Sequence, residues 1–137
     1  MQGKLDFVQS LRKRVSRLEG LTTAQMEAVK NRLELNPGAL VLCRVLRKLG
    51  VKTAVVSGGF MPMALHIKQI LGLDYAFANT LEMTPQGSAC TGQVLGDIVD
   101  AKRKADLLKF IASVNSDLFI YLLFILFLFS NVKPWLG

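Results

Sequence analysis

Residues 51–60 read VKTAVVSGGF. Val51 to Val56 form a short β-rich run that ends at Ser57-Gly58-Gly59. An amphipathic segment precedes it. Asn36-Pro37-Gly38 marks a boundary, where Asn36 can cap a helix and Pro37 suits its first position. The helix that follows is expected to bury Leu40, Val41, Val45, Leu46 and Leu49, with Gly50 as its stop. On the other side, a helix is expected over 61–71, closed by Gly72, and Tyr75-Ala76-Phe77-Ala78 reads as another short strand. Helix, strand, helix, strand at these lengths is a βαβ pattern. It predicts an α/β fold in which strands 51–56 and 75–78 are adjacent and parallel, joined by a right-handed crossover.

Further out the period changes. Residues 80–83 and 91–95 flank Pro85-Gln86-Gly87-Ser88 and read as a β-hairpin. Asp100 is placed to cap a final helix whose apolar residues are Ala105, Leu107, Leu108 and Ile111. Upstream, Phe7, Leu11, Val15 and Leu18 recur at helical spacing, with Asp6 and Gln9 as a capping box and Gly20 as the stop. A second helix is expected over 23–33, opened by Thr22 and Gln25, with Met26, Val29 and Leu33 as its stripe. These two helices read as a small layer short of whatever it packs on. Three units result: a helical layer over 1–36, an α/β core over 37–115, and an apolar tail over 116–137.

The chain has 137 residues, half of them hydrophobic (51%), so it can bury a core without staples and general disorder is not expected. Cys43 and Cys90 form no CxxC pair, and with His66 as the one histidine no zinc framework exists. Two reduced core thiols point to a cytoplasmic protein. The formal charge of +7 permits an anionic partner. It does not indicate nucleic acid, because the bases are spread over several amphipathic segments with few aromatics among them. Residues 118–129 read LFIYLLFILFLF, twelve apolar residues without a charge. At about 1.5 Å per residue such a helix falls short of a roughly 30 Å hydrocarbon core. The run reads either as a buried parallel strand with its extension, as an exposed aggregation-prone segment, or as a membrane attachment. The N-terminus shows no secretory pattern.

Three places offer chemistry. At Ser57-Gly58-Gly59 a hydrophobic strand delivers a hydroxyl to its carboxyl end, and two glycines let backbone approach a ligand. Open α/β sheets bind ligands at that edge, and hydroxyl and amide donors suit a phosphoryl group. The same residues also serve as a plain strand-to-helix turn. Lys102, Arg103 and Lys104 stand at a helix N-terminus, where they oppose the dipole unless an anion is near; the alternative is a solvated helix face. Arg14 falls at the edge of the face that carries Phe7 and Leu11, where it either pairs with a carboxylate or snorkels to solvent.

Taken in series, GKLDFVQSLRKRVSRLEGL, LNPGALVLCRVLRKLGVKTAVVSGGF, LGLDYAFANTLE and TGQVLGDIVDAKRKADLL closely resemble the phosphoserine phosphatases of the haloacid dehalogenase-like superfamily, over about residues 1–112. The resemblance implies a partial Rossmann-like core with a partial helical cap (1–36), magnesium as cofactor, and hydrolysis of L-phosphoserine to L-serine in serine biosynthesis. It assigns Ser57 and Gly58 to phosphate, Lys104 to phosphate and the nucleophile, and Met1, Phe7 and Arg14 to the substrate. The family's DxDxT and GDGxND motifs have no counterpart in this sequence, and no Asp or Glu follows Asp117. The nucleophile and the metal ligands are therefore absent from the chain. The expectation is an internal piece of such a phosphatase, with the phosphate-binding half of the site, no metal ligands and no activity of its own. The alternatives are a non-catalytic anion- or partner-binding module and a polypeptide held to a membrane by residues 118–129.

Overall fold

The computed structural model describes residues 2–114 together with 123 and 124. Its elements run α1 (Gln2–Ser16), α2 (Thr23–Lys30), α3 (Ala39–Lys48), β1 (Thr53–Phe60), α4 (Met61–Leu71), β2 (Tyr75–Met83), β3 (Cys90–Leu95), α5 (Ala101–Val114) and β4 (Leu123–Phe124). The chain is α/β, with a mixed sheet in the order β3-β2-β1-β4. β1 and β2 are adjacent and parallel, with Ala54 opposite Tyr75 and Val56 opposite Phe77. That is the expected βαβ unit, with α4 as its crossover. β2 and β3 form the expected hairpin, pairing Thr80 with Leu95 and Met83 with Cys90. The two residues of β4 lie parallel to Thr53 and Ala54 on the other edge of β1. The rest of the apolar run 118–129, and Met1, lie outside the described residues. Among the described residues no helix is long and apolar enough to cross a membrane.

Two strand boundaries differ from expectation. β1 does not stop at Ser57 but continues to Phe60, and its register with β2 slips between Val56 and Phe60. Ser57-Gly58-Gly59 is thus a bulge within a strand, since glycine lets backbone bend without leaving the sheet. The runs 75–78 and 80–83 are one strand, β2, whose first half pairs parallel with β1 and whose second half pairs antiparallel with β3. At its start Asp74 fixes the register: its Oδ2 accepts from Thr53 N at 2.8 Å, and its own N–H donates to Thr53 O at 2.9 Å.

The sheet has a core on each face. Val55, with Ala39 and Cys43 of α3 and Ala64, Ile67 and Leu71 of α4, fills one side. Ala54 and Val56, with Val99 and with Leu107 and Ile111 of α5, fill the other. Burial pushes the Cys43 thiol above its ordinary pKa, because desolvation disfavours the thiolate. A proton held more tightly in the folded state means stability falls as pH rises past the ordinary thiol value.

α3 departs most from its expected pattern. It starts at Ala39 after a left-handed Gly38, not at Pro37. It buries Ala39 and Cys43, while Val41, Val45 and Leu49 are 63%, 47% and 67% exposed. Small residues let this helix sit close to the sheet, and its larger apolar residues point elsewhere. Leu40 and Leu46 are half-buried.

α1 begins at Gln2, so Asp6 lies inside the helix and does not cap it. The Thr22–Gln25 capping box of α2 is present with both reciprocal bonds, and α2 ends at Lys30, three residues short of expectation. The helical layer has a packing partner after all: Leu11, Val15 and Met26 are buried together with Leu81 and Cys90 of the hairpin. The loop between α1 and α2 is also tied to β3, since Gly20 N donates to Cys90 O and Cys90 N to Leu21 O, both at 2.8 Å. The sequence shows the apolar face of α1 but not the strand that receives it.

Candidate functional site

The bulge at the carboxyl end of β1 is the natural starting point. Ser57 to Phe60 are only half-buried, whereas Thr53 to Val56 are buried. Ser57 Oγ accepts the Gly59 N–H at 2.9 Å, which folds the turn on itself. That bond uses a lone pair of the hydroxyl and leaves its hydrogen for another acceptor. Gly58 is approached from two directions. A Cβ added there would stand 3.6 Å from Cζ of Phe7 and 3.8 Å from the carbonyl oxygen of Val99. The ring of Phe7, on α1, therefore lies over the turn.

Lys104 arrives from α5. Asp100 caps that helix, its Oδ1 accepting from Arg103 N at 2.8 Å and its carbonyl from Lys104 N at 2.9 Å. Lys104 is half-buried in the first turn of α5. A cavity of about 490 Å³ lies between Phe7 and Val99, Asp100, Ala101, Lys102 and Lys104. Phe7 thus joins two segments distant in sequence: it touches the position of Gly58 and faces the same cavity as Lys104.

Phe7 stands against the Gly58 position and shares the cavity with Lys104, whereas Ser57 and Gly58 are themselves not among the residues lining that cavity. Arg14, farther along α1, is exposed and is not among the residues lining the cavity. Met1 lies outside the described residues. His66 is half-buried in the middle of α4 and is not among the residues lining the cavity. Sequence reasoning passed over Asn79. It is fully buried. Its Nδ2 donates to Gly58 O at 2.9 Å, and its Oδ1 accepts from Val99 N at 2.8 Å. The signal available was one carboxamide inside the strand YAFANTLEM, where the neighbouring positions are small or apolar.

The donor set suits an anion and not a metal ion. Among the described residues Asp100 is the one carboxylate lining the cavity, beside Lys102 and Lys104. A hard divalent cation takes about six oxygen ligands. Among the described residues no group of three or more His, Cys, Asp or Glu is arranged to hold one. The described residues around the cavity do not by themselves fit magnesium.

Residues 1–110 match the model of a hydrolase family described as haloacid dehalogenase-like hydrolase. The chain belongs to the haloacid dehalogenase-like hydrolases. Within them it is similar to phosphoserine phosphatases. It is 47% identical over 109 residues to a probable phosphoserine phosphatase of Schizosaccharomyces pombe, covering 80% of this chain and 37% of that one. It is 44% identical over 112 residues to the phosphoserine phosphatase of Idiomarina loihiensis, covering 82% and 50%. A substrate-bound phosphoserine phosphatase complex superposes with a TM-score of 0.75 at 41% identity, covering 85% of this chain and 54% of that one. The unliganded probable phosphoserine phosphatase of Vibrio cholerae gives a TM-score of 0.74 at 44% identity, covering 83% and 35%. The chain thus spans between about a third and about half the length of these haloacid dehalogenase-like relatives.

Proposed function

We propose that this chain binds the phosphoryl group of a phosphate monoester, phosphoserine on the strength of its relatives' names, and does not hydrolyse it unaided. Ser57 and the Gly58 backbone hold the phosphoryl oxygens from the turn, and Lys104 neutralises their charge from α5. Phe7 packs against the rest of the ligand, and Met1 and Arg14 complete the substrate contacts as the resemblance implies. The carrying observation is the placement of Phe7 against both the Gly58 turn and the Lys104 cavity. Phe7 stands against the Gly58 position and shares a cavity with Lys104, and this supports a common ligand for residues from separate parts of the sequence, for which a partner-binding or membrane role gives no reason. Hydroxyl and ammonium donors with little steric bulk are what a phosphoryl group needs. In the whole phosphatases, by resemblance, a carboxylate nucleophile and magnesium add the chemistry of serine-forming hydrolysis; this chain supplies the anion-binding side.

The test is titration with inorganic phosphate and with phosphoserine, followed by phosphorus NMR. The parent chain is expected to bind both. Ser57→Ala and Lys104→Ala should each weaken binding, Lys104→Ala by about ten- to a hundredfold because a charge-assisted bond contributes about 1.5–3 kcal/mol. Equal affinity in parent and both variants would count against the proposal.

A further inference from the structure

We infer that Asn79 is a positioning residue: it locks the Ser57-Gly58-Gly59 turn and the segment that leads to Lys104 into one fixed relation. The inference rests on the phosphate-binding reading for its consequence, but its structural content stands on Asn79 alone. The side chain is fully buried, and both ends of its carboxamide are used. Nδ2 donates to Gly58 O at 2.9 Å, and Oδ1 accepts from Val99 N at 2.8 Å. These two acceptor and donor groups belong to the two walls of the site. Gly58 is the middle of the turn. Val99 is followed by Asp100, whose carbonyl accepts from Lys104 N, so Lys104 lies a single helical turn beyond the anchored amide.

The location explains why a side chain is needed. The ladder between β1 and β2 loses its register between Val56 and Phe60, and regular pairing resumes at Phe60 opposite Asn79. Within that break the strand backbone does not by itself dictate where Gly58 sits. The Asn79 amide reaches into the break from β2 and takes the Gly58 carbonyl. The segment at Val99 belongs to no strand and crosses over the same spot. A carboxamide is the group that can donate to one wall and accept from the other at this reach. An aspartate would set an oxygen against the Gly58 carbonyl, and an apolar residue would leave both backbone groups buried without this partner.

The experiment compares the parent chain with Asn79→Asp and Asn79→Ser, and with Thr53→Val as a control. Thr53 is also a buried polar residue of the β1–β2 pair, but it bonds to Asp74 and stands away from the site. Backbone amide shifts are measured by NMR, along with melting temperature and affinity for inorganic phosphate. In Asn79→Asp at neutral pH the signals of Gly58 and Gly59 should move together with those of Val99 to Lys104. Lowering the pH until the buried carboxyl is protonated restores a donor hydrogen, and these signals should return toward the parent's. Phosphate affinity should drop about tenfold or more. The drop should largely vanish when the pair is compared in a Lys104→Ala background, since a positioning effect needs the group it positions. Thr53→Val should lower the melting temperature and leave phosphate affinity within about twofold of the parent. Asn79→Ser, whose shorter hydroxyl cannot reach both walls, should show the same coupled shifts and serves if the aspartate variant does not fold.

Folded Asn79 variants with only one wall's signals displaced, or with parental phosphate affinity, would overturn the inference. So would equal losses in the Ser57-Lys104 site and its Lys104→Ala background, or a matching affinity loss in Thr53→Val. A parent chain that binds no phosphate would defeat the functional reading instead, and the amide shifts would still decide whether Asn79 ties the two walls.

Discussion

Gly92 shows how little room separates the helical layer from the sheet. It adopts a φ of 83°, and a Cβ there would stand 3.2 Å from Cβ of Glu19 and 3.3 Å from the Ser16 carbonyl oxygen. Its backbone conformation makes the bulge by which β3 passes under the end of α1, where pairing with β2 slips between Leu81 and Met83. Gly87, at the hairpin tip, has a similar φ of 68° but nothing within 4 Å of an added Cβ. The pair separates strain from clash. Gly87→Ala should cost about 1 kcal/mol, for the left-handed backbone alone. Gly92→Ala should cost roughly 1–2 kcal/mol more, because Ser16 is helix backbone and cannot yield cheaply. Urea denaturation of the two variants measures the difference, and equal midpoints would show that α1 does not press on β3. Residues at this scale were unevenly legible. Ser57, Gly58 and Lys104 sit in local patterns that announce a turn and a helix start. Asn79 sits in an ordinary strand, and its role comes from two backbone groups that only folding brings to it.

At the scale of elements, order and direction were readable while burial was not. Gly50 and Gly72 mark helix ends, and the βαβ pairing of β1 with β2 follows from the run of periods. The partner of α1 is set by a contact between residues some 70–80 positions apart, for which the local pattern carries no information. α3 shows the opposite error. Its many apolar residues suggest a buried helix, yet the close approach is made by Ala39 and Cys43, and Leu49 is 67% exposed. Composition identifies which residues favour burial; the geometry of packing decides which obtain it. Leu11→Ala should therefore destabilise the chain by about 2–5 kcal/mol, the usual cost of emptying a filled site. Leu49→Ala should stay within about 0.5 kcal/mol, as surface substitutions do. Chemical denaturation followed by circular dichroism checks both. A small effect at Leu11 would mean that the helical layer contributes little to the cooperative unit.

For the whole molecule, charge and chemistry support the proposed reading of phosphoryl binding without turnover. Transfer of a phosphoryl group to an enzyme carboxylate needs that carboxylate in line with phosphorus. The chain has 10 Asp and Glu residues against 17 Lys and Arg. Among the described residues Asp100 is the one acid lining the cavity, and one of its oxygens already accepts the Arg103 amide as the cap of α5. On the proposed reading, an acid engaged in capping, with Lys102 and Lys104 beside it, serves as a structural group and a counter-charge. A net charge of +7 favours an anion entering the site. Binding and hydrolysis should accordingly separate. Phosphoserine should bind, with an affinity that weakens as salt is raised, since part of its attraction is screened within a Debye length of about 10 Å at 0.1 M. Phosphate release from phosphoserine should stay at the background rate with or without magnesium. Malachite-green detection of phosphate over a magnesium series measures this directly. Release that rises with magnesium and disappears in Lys104→Ala would show that the chain catalyses after all, and loss of that release in Asp100→Asn would then name the carboxylate responsible.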